Sequence, residues 1–143
     1  VAAVDYGRRR IGLAVCDPLG ITVRGLATVT WAGPDPAPAV AAVARHLREA
    51  GSQAVVVGLP LYESGDESEM SREARTFALL LAAAGPWTVE HVHEGLTSWA
   101  AEERLRERGV PLEQARKAGL IDQEAAAVIL RAWLDERGGR TGS

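Results

Sequence analysis

Apolar residues open the chain in a short unbroken run at 1–4 that ends in Asp5, and Tyr6-Gly7 interrupts it before a second β-favouring run at 11–16. Two strands joined by a tight turn are predicted. A third β-rich stretch, 21–30, follows Asp17-Pro18-Leu19-Gly20, whose Pro and Gly are turn residues, so the first part of the chain predicts an antiparallel meander. The pattern then changes. Gly33-Pro34-Asp35-Pro36 is a breaker cluster in which Asp35 can cap a helix with Pro36 at its first position; Val40, Val43 and Leu47 recur at helical spacing and Gly51 closes the element. Residues 54–59 form a β-branched run without polar alternation, as expected of a strand covered on both faces. Asp66 and Glu69 have capping-box spacing before a second helix, whose predicted apolar face is Phe77, Leu80, Leu81 and Ala84 and whose end is Gly85-Pro86. A fifth strand is predicted at 87–92, helices at 98–108 and 123–135, and a mobile tail at 138–143.

The resulting order, three strands and then alternating helices and strands, predicts a mixed α/β sheet with helices on both faces: a meander followed by parallel strands returned by helical crossovers. No long linker interrupts it, so residues 1–143 are read as one domain. The content of 47% hydrophobic and 24% charged residues supports a full core and excludes intrinsic disorder. No apolar run approaches a membrane span and no signal core is visible near the start, so a cytoplasmic protein without a membrane partner is expected. Cys16 is the single cysteine, which excludes a disulfide framework and a cysteine-rich zinc site and suggests a buried strand residue. The net charge of −3 excludes a generic polyanion binder, so any nucleic-acid contact must be local.

Candidate chemistry lies at element ends. Asp5 closes the first strand, Glu94 follows the fifth and Asp122 opens the last helix. In a mixed sheet the first and fifth strands can run parallel with one strand between them, so both carboxylates would open on one edge, and a helix N-terminus packed there would add Asp122. Converging carboxylates repel one another, and a hard divalent cation such as Mg2+ or Mn2+ relieves the repulsion. The plain alternatives are a turn-forming Asp5, a surface Glu94 and a helix-capping Asp122. Gly7 and Gly12 frame the first turn, either because a hairpin needs positive φ or because a position without Cβ lets a phosphate or metal approach Asp5. Arg8, Arg9 and Arg10 are the densest basic cluster; strand alternation would send Arg8 and Arg10 to one face and Arg9 to the other. They are candidate phosphate contacts. In the 59–68 loop Tyr62 is a candidate stacking ring, whereas Trp31, Trp87, Trp99 and Trp133 are read as packing residues.

The stretch from Asp5-Tyr6-Gly7 to Ile11-Gly12-Leu13-Ala14-Val15 resembles the opening motif of the YqgF/RuvX family of RNase H-like nucleases. Three further blocks agree in order and spacing: Val57-Gly58-Leu59-Pro60-Leu61 with Gly65 nearby, His93-Glu94-Gly95-Leu96-Thr97-Ser98, and Ile121-Asp122-Gln123-Glu124-Ala125-Ala126-Ala127-Val128-Ile129-Leu130. The resemblance implies an RNase H-like fold with a five-stranded mixed sheet, and metal-binding catalytic carboxylates at Asp5, Glu94 and Asp122. It also implies loop-supporting glycines at Gly7, Gly12, Gly58 and Gly65. The implied activity is two-metal phosphodiester hydrolysis with Mg2+ or Mn2+, at the 5′ end of the 16S ribosomal RNA precursor and in contact with ribosomal particles. The nearest alternative is resolution of four-way DNA junctions. The third block departs from the family's usual Asp-Glu-Arg: His93 stands for the Asp and Gly95 for the Arg. The lost guanidinium is a bidentate phosphate donor, and His93 becomes a candidate auxiliary proton carrier. These two changes keep a non-catalytic RNA- or ribosome-binding adaptor in view. An actin-like ATPase, which needs two such domains, does not fit the length.

Overall fold

The computed structural model describes residues 1–60, 69–94 and 97–141, with the backbone alone described at 60, 93, 94, 97–100 and 137–141. Strands β1 (Ala2–Asp5), β2 (Arg10–Cys16) and β3 (Val23–Thr30) form the meander. Helix α1 (Ala37–Glu49) leads into β4 (Ala54–Pro60), α2 (Glu69–Ala83) into β5 (Thr88–Glu94), and α3 (Thr97–Glu107), α4 (Leu112–Lys117) and α5 (Leu120–Thr141) follow. The five strands form one sheet in the order β3-β2-β1-β4-β5, with β1 antiparallel to β2 and parallel to β4, and β4 parallel to β5. The C-terminal ends of β1, β4 and β5 therefore share one edge.

Strand alternation divides the core in two. Val4, Leu13, Val55 and Val57 face α1 and α2, where Val43, Leu47, Phe77 and Leu81 cover them. Ala3 and Val56 face the other way, against Ile129 and Leu130 of α5, and Ala14 meets Ala126 and Ala127. A sheet residue as small as alanine lets α5 lie close. The expected Asp35 cap is displaced by one residue: Pro36 occupies the N-cap position of α1, which has no side-chain cap, and Asp35 precedes it with its Oδ1 accepting from the Ala37 N–H at 3.0 Å.

Several elements differ from expectation. On α2 the buried stripe is Ala74, Phe77, Ala78 and Leu81, whereas Leu80 is 41% exposed and lies on the flank beside α1. Steps of four residues keep Ala74 and Phe77 in line with Ala78 and Leu81; Leu80 falls outside them. Helix α4 went unpredicted because it buries only Ala115 and so lacks apolar periodicity. Helix α5 begins at Leu120, three residues before the expected start, with Asp122 inside its first turn and not at a cap, and it continues into the expected tail as far as Thr141. Cys16 ends β2 half-buried, not within the core.

Candidate active site

Asp5 ends β1 opposite Gly12 of β2, on the sheet face that α5 covers. The helix passes directly over Gly12. A Cβ added there would overlap the backbone carbonyl of Asp122, so the first turn of α5 rests on bare strand backbone and brings Asp122 beside Asp5. Burial first, and then the charge of Asp122, push Asp5 up from 3.8 to about 7. Burial also raises Asp122, opposed by the Arg10 guanidinium and by a hydrogen bond from its own backbone.

Glu94 pairs in register with Pro60 at the C-terminal end of β5, so its backbone stands on the Asp5 edge, and Val92 two residues earlier packs on the α5 face. The side chains of Glu94 and His93 lie outside the described residues, as do Tyr62, Gly65, the Asp66 cap and the Trp99 ring. Among the described residues no three His, Cys, Asp or Glu side chains gather, and the acidic pair is Asp5 with Asp122.

The arginine cluster splits otherwise than strand alternation suggests. Arg8 sits in the turn before β2, where it donates to Glu73 of α2 through Nη2 at 2.6 Å and Nε at 3.0 Å, on the α1/α2 side. Arg10, the first residue of β2, acts on Asp122 and reaches the Arg116 carbonyl at 3.5 Å, on the α4/α5 side. The two point to opposite faces because the pleat that would align them starts only at Arg10. Arg9 is exposed. Tyr6 joins the Arg8 pair, its hydroxyl donating to Glu73 at 3.3 Å. The guanidinium holds Glu73 below the usual carboxylate range.

A family model described as "RuvX: Holliday junction resolvase" matches residues 1–136. The chain belongs to the RuvX family. Relatives carrying the name "Putative pre-16S rRNA nuclease" include one from Anaeromyxobacter dehalogenans, 48% identical over 134 residues that cover 94% of this chain and 95% of the relative. Another, from Synechococcus elongatus, is 41% identical over 94% of this chain and 87% of its own length. Among solved structures, Thermus thermophilus RuvC in complex with a Holliday junction substrate superposes with a TM-score of 0.53 at 22% identity, over 97% of both chains. The fowlpox virus resolvase with Holliday junction DNA gives 0.54 at 12% identity, over 94% of this chain and 96% of that one. The RuvX chain thus has the RNase H-like fold of the RuvC-type resolvases, as its motifs imply.

Three of the motif glycines of this RuvX chain, Gly7, Gly12 and Gly58, act through close approach. Neither Gly7 nor Gly12 has a positive φ, which removes the hairpin reading, and what approaches them is protein backbone: the Arg10 carbonyl at Gly7 and the Asp122 carbonyl at Gly12. Gly58 serves α5 in the same way, leaving room for the Ile129 side chain. Gly25, not singled out from the sequence, completes this track beneath Gln123, whose Nε2 donates to Thr28 Oγ1 at 3.2 Å; Thr28 in turn donates to the Gly119 carbonyl at 2.7 Å. These contacts anchor the start of α5. A glycine inside a strand pattern was the available signal. Glu124, also unforeseen in this role, is buried and binds Arg104, Arg108 and Arg131 at 3.0–3.1 Å, tying α3 to α5. A cavity of about 730 Å³ lined by Val1, Cys16, Arg24 and Leu134 lies at the opposite end of the sheet, away from this chemistry.

Proposed function

We propose that the chain is a divalent-metal-dependent nuclease that hydrolyses a phosphodiester bond in structured RNA, with the 5′ end of the 16S ribosomal RNA precursor as substrate, in the cytoplasm and in contact with ribosomal particles. The observation that carries this reading is the pairing of Asp5 with Asp122 at the sheet edge of a chain in the RuvX family. Two half-buried carboxyls, one of them raised by the charge of the other, are a donor set suited to Mg2+ or Mn2+, and both supply hard oxygen ligands. Asp5, Asp122 and Glu94 would hold the metal. When bound, a pair of such ions supplies activation of a water and stabilisation of the leaving oxygen.

The chain's own residues would do the rest. Asp5, fixed by the β1–β2 ladder, and Asp122, fixed by the glycine track under α5, present their oxygens without further ordering. Arg10 would meet the phosphates of the bound strand, with Arg9 at the turn, in place of the guanidinium that Gly95 lacks. Arg8 would contribute less charge, being already paired with Glu73. His93 would carry a proton at the same edge. Membership of a family described by Holliday junction resolution favours a second reading, cleavage of four-way DNA.

Incubation with a 5′-extended 16S precursor and, in parallel, a four-way DNA junction, each with Mg2+ and Mn2+, tests both readings. Metal-dependent cleavage of the precursor, lost in Asp122→Asn, is expected; junction cleavage alone would favour the second reading. Binding of RNA without cleavage under any metal would identify an adaptor and overturn the enzyme assignment.

A further inference from the structure

On the other side of the β1–β2 turn from Asp5 and Asp122 lies a cleft of about 640 Å³ that the proposed chemistry does not use. Its walls include Tyr6, Trp31, Phe77, Pro34 and Pro36, with Arg8 and Arg72 beside Glu69 and Glu73. Tyr6 follows Asp5 directly in the chain. The rings are held in place: Tyr6 lies 6.2 Å from Trp31 and 5.4 Å from Phe77 between centroids, and each polar handle is already engaged. The Trp31 Nε1–H donates to the Gly7 carbonyl at 2.9 Å and the Tyr6 hydroxyl to Glu73. Tyr6 and Trp31 remain half-buried.

We propose that this cleft receives one unpaired nucleobase of the nucleic-acid substrate, stacked on Tyr6 or Trp31, within a few nucleotides of the phosphodiester held at the Asp5 edge. The inference rests on the reading of the chain as a nuclease. Charge selects the base over the phosphate as the occupant. Two arginines and two glutamates line the cleft, and Arg8 is bound by Glu73 and lies 4.0 Å from Glu69, so the lining has no excess positive charge with which to hold an anion. Aromatic faces bind any base with little dependence on salt, and rings already fixed by hydrogen bonds lose little freedom on stacking. A strand crossing the turn would place a phosphate on the α5 face and a neighbouring base on the α1/α2 face.

The test uses the full chain carrying Asp5→Asn, without divalent metal, and labelled single-stranded RNA 12-mers in which one abasic site is moved along the strand. An abasic site at one position is expected to weaken binding about tenfold, the low-to-middle part of the range for a stacked base. In Tyr6→Leu and Trp31→Leu backgrounds that loss should disappear while the salt slope stays the same. Equal loss at every abasic position in all backgrounds overturns the proposal, as does a changed salt slope. Should either leucine variant fail to fold, photocrosslinking of the unaltered chain to 5-iodouridine at each position decides. Adducts on Tyr6 or Trp31 from one position support the cleft, and adducts confined to other residues overturn it. Position-specific loss in a chain that cleaves neither precursor nor junction would leave the cleft standing and the nuclease reading fallen; cleavage without it would do the reverse.

Discussion

Asp5 carries two consequences that can be measured separately. Its carboxyl sits at about 7 in the folded protein against an ordinary 3.8, so between these values the folded state keeps a proton that the unfolded chain has released. Stability of the metal-free protein therefore falls as pH rises from about 4 to 7. Asp5→Asn should leave stability unchanged near pH 4 and raise it by about 2–4 kcal/mol at pH 8, the upper end being the full difference at about 1.4 kcal/mol per pH decade. Urea denaturation at the two pH values checks this. Cleavage should be lost at both, because a neutral amide holds a hard cation poorly. The glycines make a second contrast at this scale. At Gly12 a Cβ meets the Asp122 backbone, which cannot give way without moving α5, whereas at Gly58 it meets the far end of the Ile129 side chain, which can turn. Gly12→Ala should cost about 3 kcal/mol and abolish activity, and Gly58→Ala about 1 kcal/mol with activity reduced but present. Melting curves and a cleavage assay on both variants separate the two outcomes.

At the scale of elements, α5 is where sequence and structure part most. Its existence was legible from the apolar run through Val128, Ile129 and Leu130, and so was the proximity of Asp122 to its start. Its seat on the sheet was not, because that seat is made of absent side chains at Gly12, Gly25 and Gly58, which periodicity counts as blanks. The outer face of α5 was equally hidden. Glu124 reads as one more helix-favouring glutamate, yet it is the buried anion on which Arg104, Arg108 and Arg131 converge. Those partners come from 20, 16 and 7 residues away, separations that no local pattern records. Removing the carboxylate charge leaves three cations facing one another across the α3–α5 contact. Glu124→Gln should destabilise the fold by about 1–3 kcal/mol, discounted from a fully buried pair because the arginines are 30–59% exposed. Guanidinium denaturation should show the loss, and it should shrink in a background that also carries Arg108→Ala.

Across the whole molecule, the strand order was legible because it follows from connection rules: hairpins join β1 to β3, and helical crossovers bring β4 and β5 back parallel to β1. Once that order holds, Asp5 and the end of β5 must share an edge. The distribution of cations about the edge was not legible, since the direction of Arg8 depends on where the turn stops and the pleat of β2 begins. A chain of net charge −3 can bind a polyanion only where local cations outweigh the rest. Arg8 is committed to Glu73, while Arg10 stands by Asp122 on the α5 face. Replacing them one at a time separates these roles. Arg10→Ala should lower the slope of log binding constant against log salt by about 0.7 for a single strand and about 0.9 for a duplex, alike across unrelated sequences. Arg8→Ala should leave the slope nearly unchanged, because the cation it removes already has its counter-charge, and should lower stability only slightly through loss of the exposed pair with Glu73. Filter binding of each variant across a salt series reads both. Equal loss of slope in the two variants would mean that Arg8 leaves Glu73 for the nucleic acid on binding, and the split of the cluster across the sheet would then describe the free protein alone.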